Sequence, residues 1–396
     1  MKCKLLQRTL VICAFVLALT MDATGQSARP AAGPRDGAIA LEQQGRTVEA
    51  ISAWQSIAKK YPGNAEAYAH LGVLLAHEER YQEAIAAYRR ASQLQPAMPG
   101  LRMNLALAYL KGGNLKLAVA TLQPLLDKVP PGTPEAVRLK TLIGLAEYGM
   151  GNDAAAIPYL KAATDADPQN LQFRMYLGQS CLRTKQYPCV LDVYREILAL
   201  NAESPQADML AGEAYDELKN EGKALEEFQA AAVAGPHTPD VHFACGYLLW
   251  RMLRYDEASK EFKAELENNP DHALALTYLA DIEIRAGHTD AARPYLERAI
   301  KLQPSIALAH LDLGTVFQAA GRNDDAVREL KEAERLSPKD AKVHWQLGRY
   351  YQSAGRTAEA RAELEKAKTL QDAADQSVVD QLNQTQASER GAGPGK

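Results

Sequence analysis

The stretch Ala65–Pro96, AEAYAHLGVLLAHEERYQEAIAAYRRASQLQP, decides the fold of this chain. It carries Leu71-Gly72, then Ala84, Tyr88, Ala91 and finally Pro96. The same punctuation returns as Ala211, Gly212, Tyr215, Ala224, Phe228, Ala231 and Pro236, and again as Leu313, Gly314, Phe317, Ala326, Leu330, Ala333 and Pro338. A fixed period of this kind signals stacked supersecondary units, each burying its apolar face against its neighbours.

Working outward, copies begin at residues 31, 65, 99, 137, 171, 205, 239, 273, 307 and 341, so every step is 34 residues except one of 38. The anchor of the second half of each copy is Ala50, Ala84, Ala118, Ala156, Val190, Ala224, Ala258, Ala292, Ala326 and Ala360. The closing proline is Pro62, Pro96, Pro130, Pro168, Pro236, Pro270, Pro304 and Pro338, replaced by Ala202 and Asp372 in the fifth and tenth copies.

One copy reads as a helical hairpin. Two apolar-periodic stretches of about a dozen residues each fit amphipathic helices. Between them lie Gly45, Gly113, Gly151, Gly287, Gly321 and Gly355, suited to a left-handed helix C-terminus. Thr47, Asp153, Thr289, Asn323 and Thr357 follow two residues later and are expected to cap the second helix. The closing proline cannot continue that helix. Small residues such as Gly72, Gly178 and Gly212 let the two helices approach closely.

These residues resemble the tetratricopeptide repeat, a 34-residue helix–turn–helix unit with this Leu-Gly, Ala, aromatic, Ala, Pro pattern. The resemblance covers residues 31–374 and implies an all-α, right-handed α-solenoid of about ten repeats. Where the family usually has an aromatic at the fourth position, Tyr68 fits but His242, His310 and His344 depart. The first copy has Pro34 and Gly37 there, so its opening helix is expected to be short.

A chain of 396 residues, 24% charged and 47% hydrophobic, fits an ordinary soluble protein, and its net charge of −4 without a Lys/Arg run gives no nucleic-acid footprint. The N-terminus reads as an export signal over residues 1–25: basic Lys2, Lys4 and Arg8, an apolar Thr9–Thr20, then Ala23-Thr-Gly25 before Gln26. The alternative is an uncleaved anchor, although a stretch of twelve residues is too short to span a bilayer of about 30 Å. Cleavage removes Lys2, Lys4, Arg8 and Asp22, taking the net charge to −6 and leaving a mature chain that is periplasmic or secreted, with no membrane span.

Cys181 and Cys189 lie symmetrically about the inter-helix turn of the fifth copy. In an oxidising compartment they form either a disulfide or two buried thiols. Cys245 stays unpaired. The junction of the third and fourth copies carries Pro124, Pro130, Pro131, Gly132, Thr133 and Pro134, read either as a hinge or as a tolerated insertion. Beyond the last copy, residues 375–386 with Val378, Val379 and Leu382 suit a capping helix, and residues 387–396 have a disordered composition.

The resemblance implies a concave groove lined by positions 5, 9 and 12 of the first helices. On this chain those positions place Met103, Leu107, Leu110, Leu145, Tyr148, Met175, Gln179, Leu182, Met209, Phe243, Tyr247 and Trp250. Such a stripe suits adaptable peptide binding, or packs as core between neighbouring helices. Copies eight to ten carry Thr277, Asp281, Thr315, Gln318, Arg349 and Gln352, either part of an extended site or a solvated face. The family's chaperone-tail clamp is absent, because no copy pairs Lys at position 5 with Asn at position 9. Only Asn104 matches the family's Asn ladder. There is no Walker loop, HExxH or CxxC, and the three equivalent histidines, on helices stacked about 10 Å apart, read as interface residues rather than metal ligands. The expectation is a protein- or peptide-binding scaffold that is not an enzyme and needs no cofactor, metal or small-molecule substrate. The alternative is a structural adaptor assembling an envelope or secretion complex through its convex face or ends.

Overall fold

The computed structural model describes residues 33–201 and 203–391, and among these every regular element is a helix. Ten hairpins follow one another: α1 Pro34–Gln43 with α2 Thr47–Lys60, α3 Ala65–His77 with α4 Tyr81–Leu94, and α5 Leu101–Lys111 with α6 Leu115–Leu126. Next come α7 Pro134–Met150 with α8 Asp153–Ala166, α9 Leu171–Arg183 with α10 Tyr187–Leu200, and α11 Pro205–Glu217 with α12 Glu221–Ala234. The last four are α13 Val241–Arg251 with α14 Tyr255–Asn268, α15 Ala273–Arg285 with α16 Thr289–Leu302, α17 Ala307–Ala319 with α18 Asn323–Leu336, and α19 Ala341–Ser353 with α20 Thr357–Gly391. The chain is an all-α solenoid. It divides between residues 202 and 203 into two compact units, α1–α10 and α11–α20. The stretch read as an export signal lies outside the described residues.

The period follows from one close contact. A methyl group added at Gly212 would sit 2.5 Å from the Phe228 ring, and one at Gly72 would sit 2.4 Å from Tyr88. The glycine of the first helix therefore exists to receive the large residue of the second, which closes the hairpin over a dry seam. As expected, α1 is short, with 10 residues and Pro34 at its first turn.

The turn between the helices is always left-handed, with or without glycine. Gly45, Gly113, Gly151, Gly287, Gly321 and Gly355 have positive φ, and so do Glu79, Lys185, Lys219 and Leu253 at the equivalent position. The hairpin seam holds these four in a conformation that disfavours a Cβ. Leu253 is 69% exposed and has little packing to lose. Leu253→Gly is therefore expected to raise stability by a net of about 0.5–1 kcal/mol, after the larger unfolded-chain entropy of glycine is set against the relieved strain. Urea unfolding checks this, and an unchanged or lower midpoint would refute it.

The second-helix caps differ from expectation. Thr47, Asp153, Thr289, Asn323 and Thr357 are the first helical residues, not the caps. In the first four of these the capping position is held one residue earlier by Arg46, Asn152, His288 and Arg322, without a side-chain cap. The left-handed residue already turns the chain, so the backbone carbonyl of the next residue opens the helix, as in Ala50 N–H to Arg46 O at 2.9 Å. Arginine at this position also bonds the acid three residues on: Arg80 to Glu83 at 2.7 Å and Arg254 to Glu257 at 2.7 Å.

In the first unit the core runs unbroken through Trp54, Tyr88, Leu122, Leu139 and Ile143. It crosses the inserted segment between α6 and α7 and continues into α7. Thr133 caps the Ala136 N–H at 3.2 Å, and the extra residues lengthen α7 to 17 residues. Pro124 lies in the last turn of α6, which ends after 12 residues where its counterparts have 14. Cys181 on α9 and Cys189 on α10 are joined by a disulfide across their turn. The last helix, α20, continues through residues 375–386, where a capping helix was expected, and on to Gly391, within the segment whose composition suggested disorder.

The second unit carries a recurrent clamp. His242, His310 and His344 bond through Nδ1 to Glu261, Glu329 and Glu363 at 2.7, 2.8 and 2.7 Å. Their Nε2 atoms donate to the carbonyls of Pro236, Pro304 and Pro338 at 3.1, 3.0 and 3.0 Å. At His310 a carbonyl and a carboxylate both accept, so that ring is best served when both nitrogens carry protons. Accordingly, the hydrogen bond that His310 donates to Glu329 holds the His310 pKa above its ordinary 6.5, and the Glu329 carboxyl is held below its ordinary 4.5 by the same bond. A raised histidine contributes stability that is complete below pH 6.5 and lost as pH rises through the higher folded value. The lowered Glu329 contributes above pH 4.5, so the clamp is strongest between these limits. The melting temperature of the α16–α18 region is expected to fall from pH 6 to pH 8.5, with a smaller slope in His310→Gln. Parallel Tm–pH curves for the two proteins would refute this.

Candidate peptide-binding surface

Phe243, Tyr247 and Trp250 lie at i, i+4 and i+7 on α13 and so share one helical face. Their rings follow one another at 6.1 Å and 6.1 Å, with interplanar angles of 14° and 12°. Tyr278 of α15 packs against all three, at 6.1 Å from Phe243, 5.2 Å from Tyr247 and edge-on at 4.9 Å from Trp250. Behind them, the buried Phe262 of α14 stacks on Tyr278 at 5.7 Å. The three α13 rings remain half-buried, so a rigid aromatic wall faces outward.

Polar groups close both ends of this wall. At one end the Trp250 indole N–H donates to Asp281 at 2.7 Å, and Arg285 bonds the same carboxylate at 2.5 Å. At the other, His272 lies 4.7 Å from Phe243. Its Nδ1 accepts from the Ala275 N–H at 3.0 Å, which leaves Nε2 to donate to Asp240 at 3.1 Å. Glu265 accepts the Phe243 N–H at 3.2 Å and so caps α13, whose preceding residue Asp240 is left-handed and places no side chain there. Asp240, Glu265 and His272 offer atoms within 4.8 Å of one another, and the bonds just described join His272 to Asp240 and Glu265 to the Phe243 N–H. In a similar group, Glu334, His344 and Glu363, Lys366 supplies the cation, 2.8 Å from Glu363.

First helices of successive copies touch directly, α13 to α15, α15 to α17 and α17 to α19. The wall therefore belongs to a continuous first-helix layer. Among the described residues no helix is long and apolar enough to cross a membrane.

Profiles of the tetratricopeptide repeat match residues 35–99, 75–143, 141–188, 191–239, 243–307, 279–324 and 311–377. The chain belongs to the tetratricopeptide repeat family. It is similar to the peroxisomal targeting signal receptor of Yarrowia lipolytica, 26% identical over 168 residues that cover 41% of this chain and 28% of the receptor. It is also similar to the cellulose synthase operon protein C of Pseudomonas fluorescens, 26% identical over 246 residues covering 58% of this chain and 19% of that protein. The chain thus spans under a third of the length of either relative. Among solved structures, a tetratricopeptide repeat protein from Parabacteroides merdae superposes with a TM-score of 0.47 at 17% identity, covering 67% of this chain and 97% of that one.

Within the tetratricopeptide frame, the expected stripe divides. In the second unit Met209, Phe243, Tyr247 and Trp250 are half-buried, and the last three form the wall. In the first unit Met103, Leu107, Met175, Gln179 and Leu182 are half-buried, but Leu110, Leu145 and Tyr148 are buried. Leu110 packs into the core, and Tyr148 lies under its neighbours: its hydroxyl donates to Gln179, its ring meets Tyr176 at 4.4 Å, and Arg183 covers it at 5.3 Å. Copies eight to ten do not form a uniformly solvated face, since Thr277 and Asp281 are buried while Arg349 and Gln352 are exposed.

Three important residues escaped the sequence reading. Tyr278 and Asp312 occupy position 6 of their repeats, which was inspected only for asparagine. Glu265 stands at a position filled by Ile57, Ala91, Leu125, Ala163, Ile197, Ala231, Ala299, Ala333 and Ala367 in the other repeats, a mismatch legible by aligning the copies.

Proposed function

We propose that this protein is a peptide- or protein-binding scaffold, not an enzyme, and that the Phe243–Tyr247–Trp250 wall is its docking surface. Tetratricopeptide repeat proteins generally mediate protein–protein contacts, and one relative is a targeting-signal receptor by name. The observation that carries the reading is the wall itself. Three aligned rings are held from behind by Tyr278 and Phe262 yet keep one face open. Rigid aromatic rings bind with little conformational entropy to lose, and they dominate the energetics of interfaces.

The protein works in an oxidising compartment after export. The support is the Cys181–Cys189 disulfide together with the basic–apolar N-terminal pattern.

The test is to crosslink mildly, purify the mature chain from an envelope fraction and identify co-purifying proteins by mass spectrometry. A recurrent partner is expected, its recovery falling at least about tenfold in Phe243→Ala/Trp250→Ala. Circular dichroism confirms that the variant stays folded. Full recovery in the folded variant would reject the wall and favour docking through the second-helix face or the ends.

A further inference from the structure

Asp312, on α17, is the anomaly of the first-helix layer. It is 7% exposed, and its Oδ2 is buried without a hydrogen-bond partner. A desolvated carboxylate oxygen left unpaired is among the costlier features a fold can carry. Its surroundings make matters worse. The carboxylate of Asp281 acts on it from α15, while Arg285 of α15 and Lys342 of α19 oppose that charge only through space. Arg285 is already bonded to Asp281. Tyr278 of the aromatic wall and Asp312 hold the same repeat position on α15 and α17, which touch directly, so Asp312 lies one repeat along from that ring. Asp216 also has an unpartnered buried oxygen, but its other oxygen is paired with Arg251 at 2.7 Å. Asp312 has no such partner.

We infer that Asp312 is the subsite for a lysine side chain of the peptide held by the aromatic wall, an inference that rests on the docking surface proposed above. Arg285 is bonded to Asp281 and no cation is bonded to Asp312, so ionising Asp312 calls for a cation brought by the ligand. A compact ammonium on a thin apolar stem suits a single buried oxygen better than a planar guanidinium, which needs a paired acceptor. The stem would run along Tyr278 and Trp250, whose rings favour a nearby cation. Without ligand, burial and the neighbouring Asp281 push the Asp312 pKa well above the ordinary range, so it holds its proton to higher pH than a surface carboxyl does. When the lysine ammonium arrives, Asp312 ionises and its proton leaves to solvent. Lysine-dependent binding therefore strengthens as pH rises, set against the fixed charges of Asp281, Arg285 and Lys342 and the neutral Tyr278.

Two matched libraries of capped decapeptides, random except for one central residue fixed as lysine or as norleucine, are passed over the immobilised mature protein. The lysine library is expected to be retained about 10- to 100-fold better, the range of a charge-assisted hydrogen bond. Asp312→Asn should remove that difference while apolar sequences are still retained, and Phe243→Ala/Trp250→Ala should remove both. Calorimetry of a retained lysine peptide in two buffers of different ionisation enthalpy gives a second readout on the unaltered protein. It should release close to one proton per peptide bound, and the norleucine counterpart none. Equal retention of the two libraries, or no proton release, overturns the lysine subsite and leaves the docking surface standing. Retention of neither library overturns both.

Discussion

Phe262→Ala is expected to lower the stability of the second unit by about 3–5 kcal/mol. Phe262 is fully buried, and a methyl group added at Gly246 would come within 2.9 Å of its ring, so no neighbour can relax far into the space. The ring also supports the binding wall, lying 5.9 Å from Phe243 and 5.7 Å from Tyr278. In a solenoid each repeat is stabilised by its neighbours alone, so the loss should be local. Hydrogen exchange should accelerate in α13–α15 well before α1–α10, and peptide retention should fall with it. A loss below about 1 kcal/mol, or exchange that accelerates evenly along the chain, would contradict this account of the core.

Cys181→Ser is expected to cost about 2–3 kcal/mol in the first unit, because the bridge closes a loop with a sequence separation of 8. Cys181 is fully buried, so the serine hydroxyl adds a polar group where water does not reach. Reducing the unaltered protein should lower its urea midpoint by a similar amount and should not further affect the variant. Thiol titration of the purified native chain should find the bridge closed. Cys245 should resist reagents, since burial pushes its thiol up to about 12. Two further reactive thiols, or no effect of reductant, would count against the bridge and with it the argument for an oxidising compartment.

Each of these effects depends on a contact between residues that lie apart in the chain. The sequence by itself determined the hairpin, its period and the number of copies. Those follow from local chemistry: Gly72 and Tyr88 sit at the spacing that places a bare Cα under a ring, and Pro96 cannot continue a helix. The half-buried wall of Phe243, Tyr247 and Trp250 was legible too, because residues three and four apart on one helix share a face.

Only the tertiary structure decided which stripe residues stay open. Leu110, Leu145 and Tyr148 have the same positional signature as their neighbours, but the way adjacent first helices pack covers them. It also decided that four turns without glycine are left-handed, that Glu265 caps α13, and that the insertion before α7 leaves the core continuous. The burial of Asp312 beside Asp281 is of the same kind. The two acids are 31 residues apart on separate helices. Their energetic conflict arises from the removal of water when α15, α17 and α19 pack together, which no local pattern in the chain encodes.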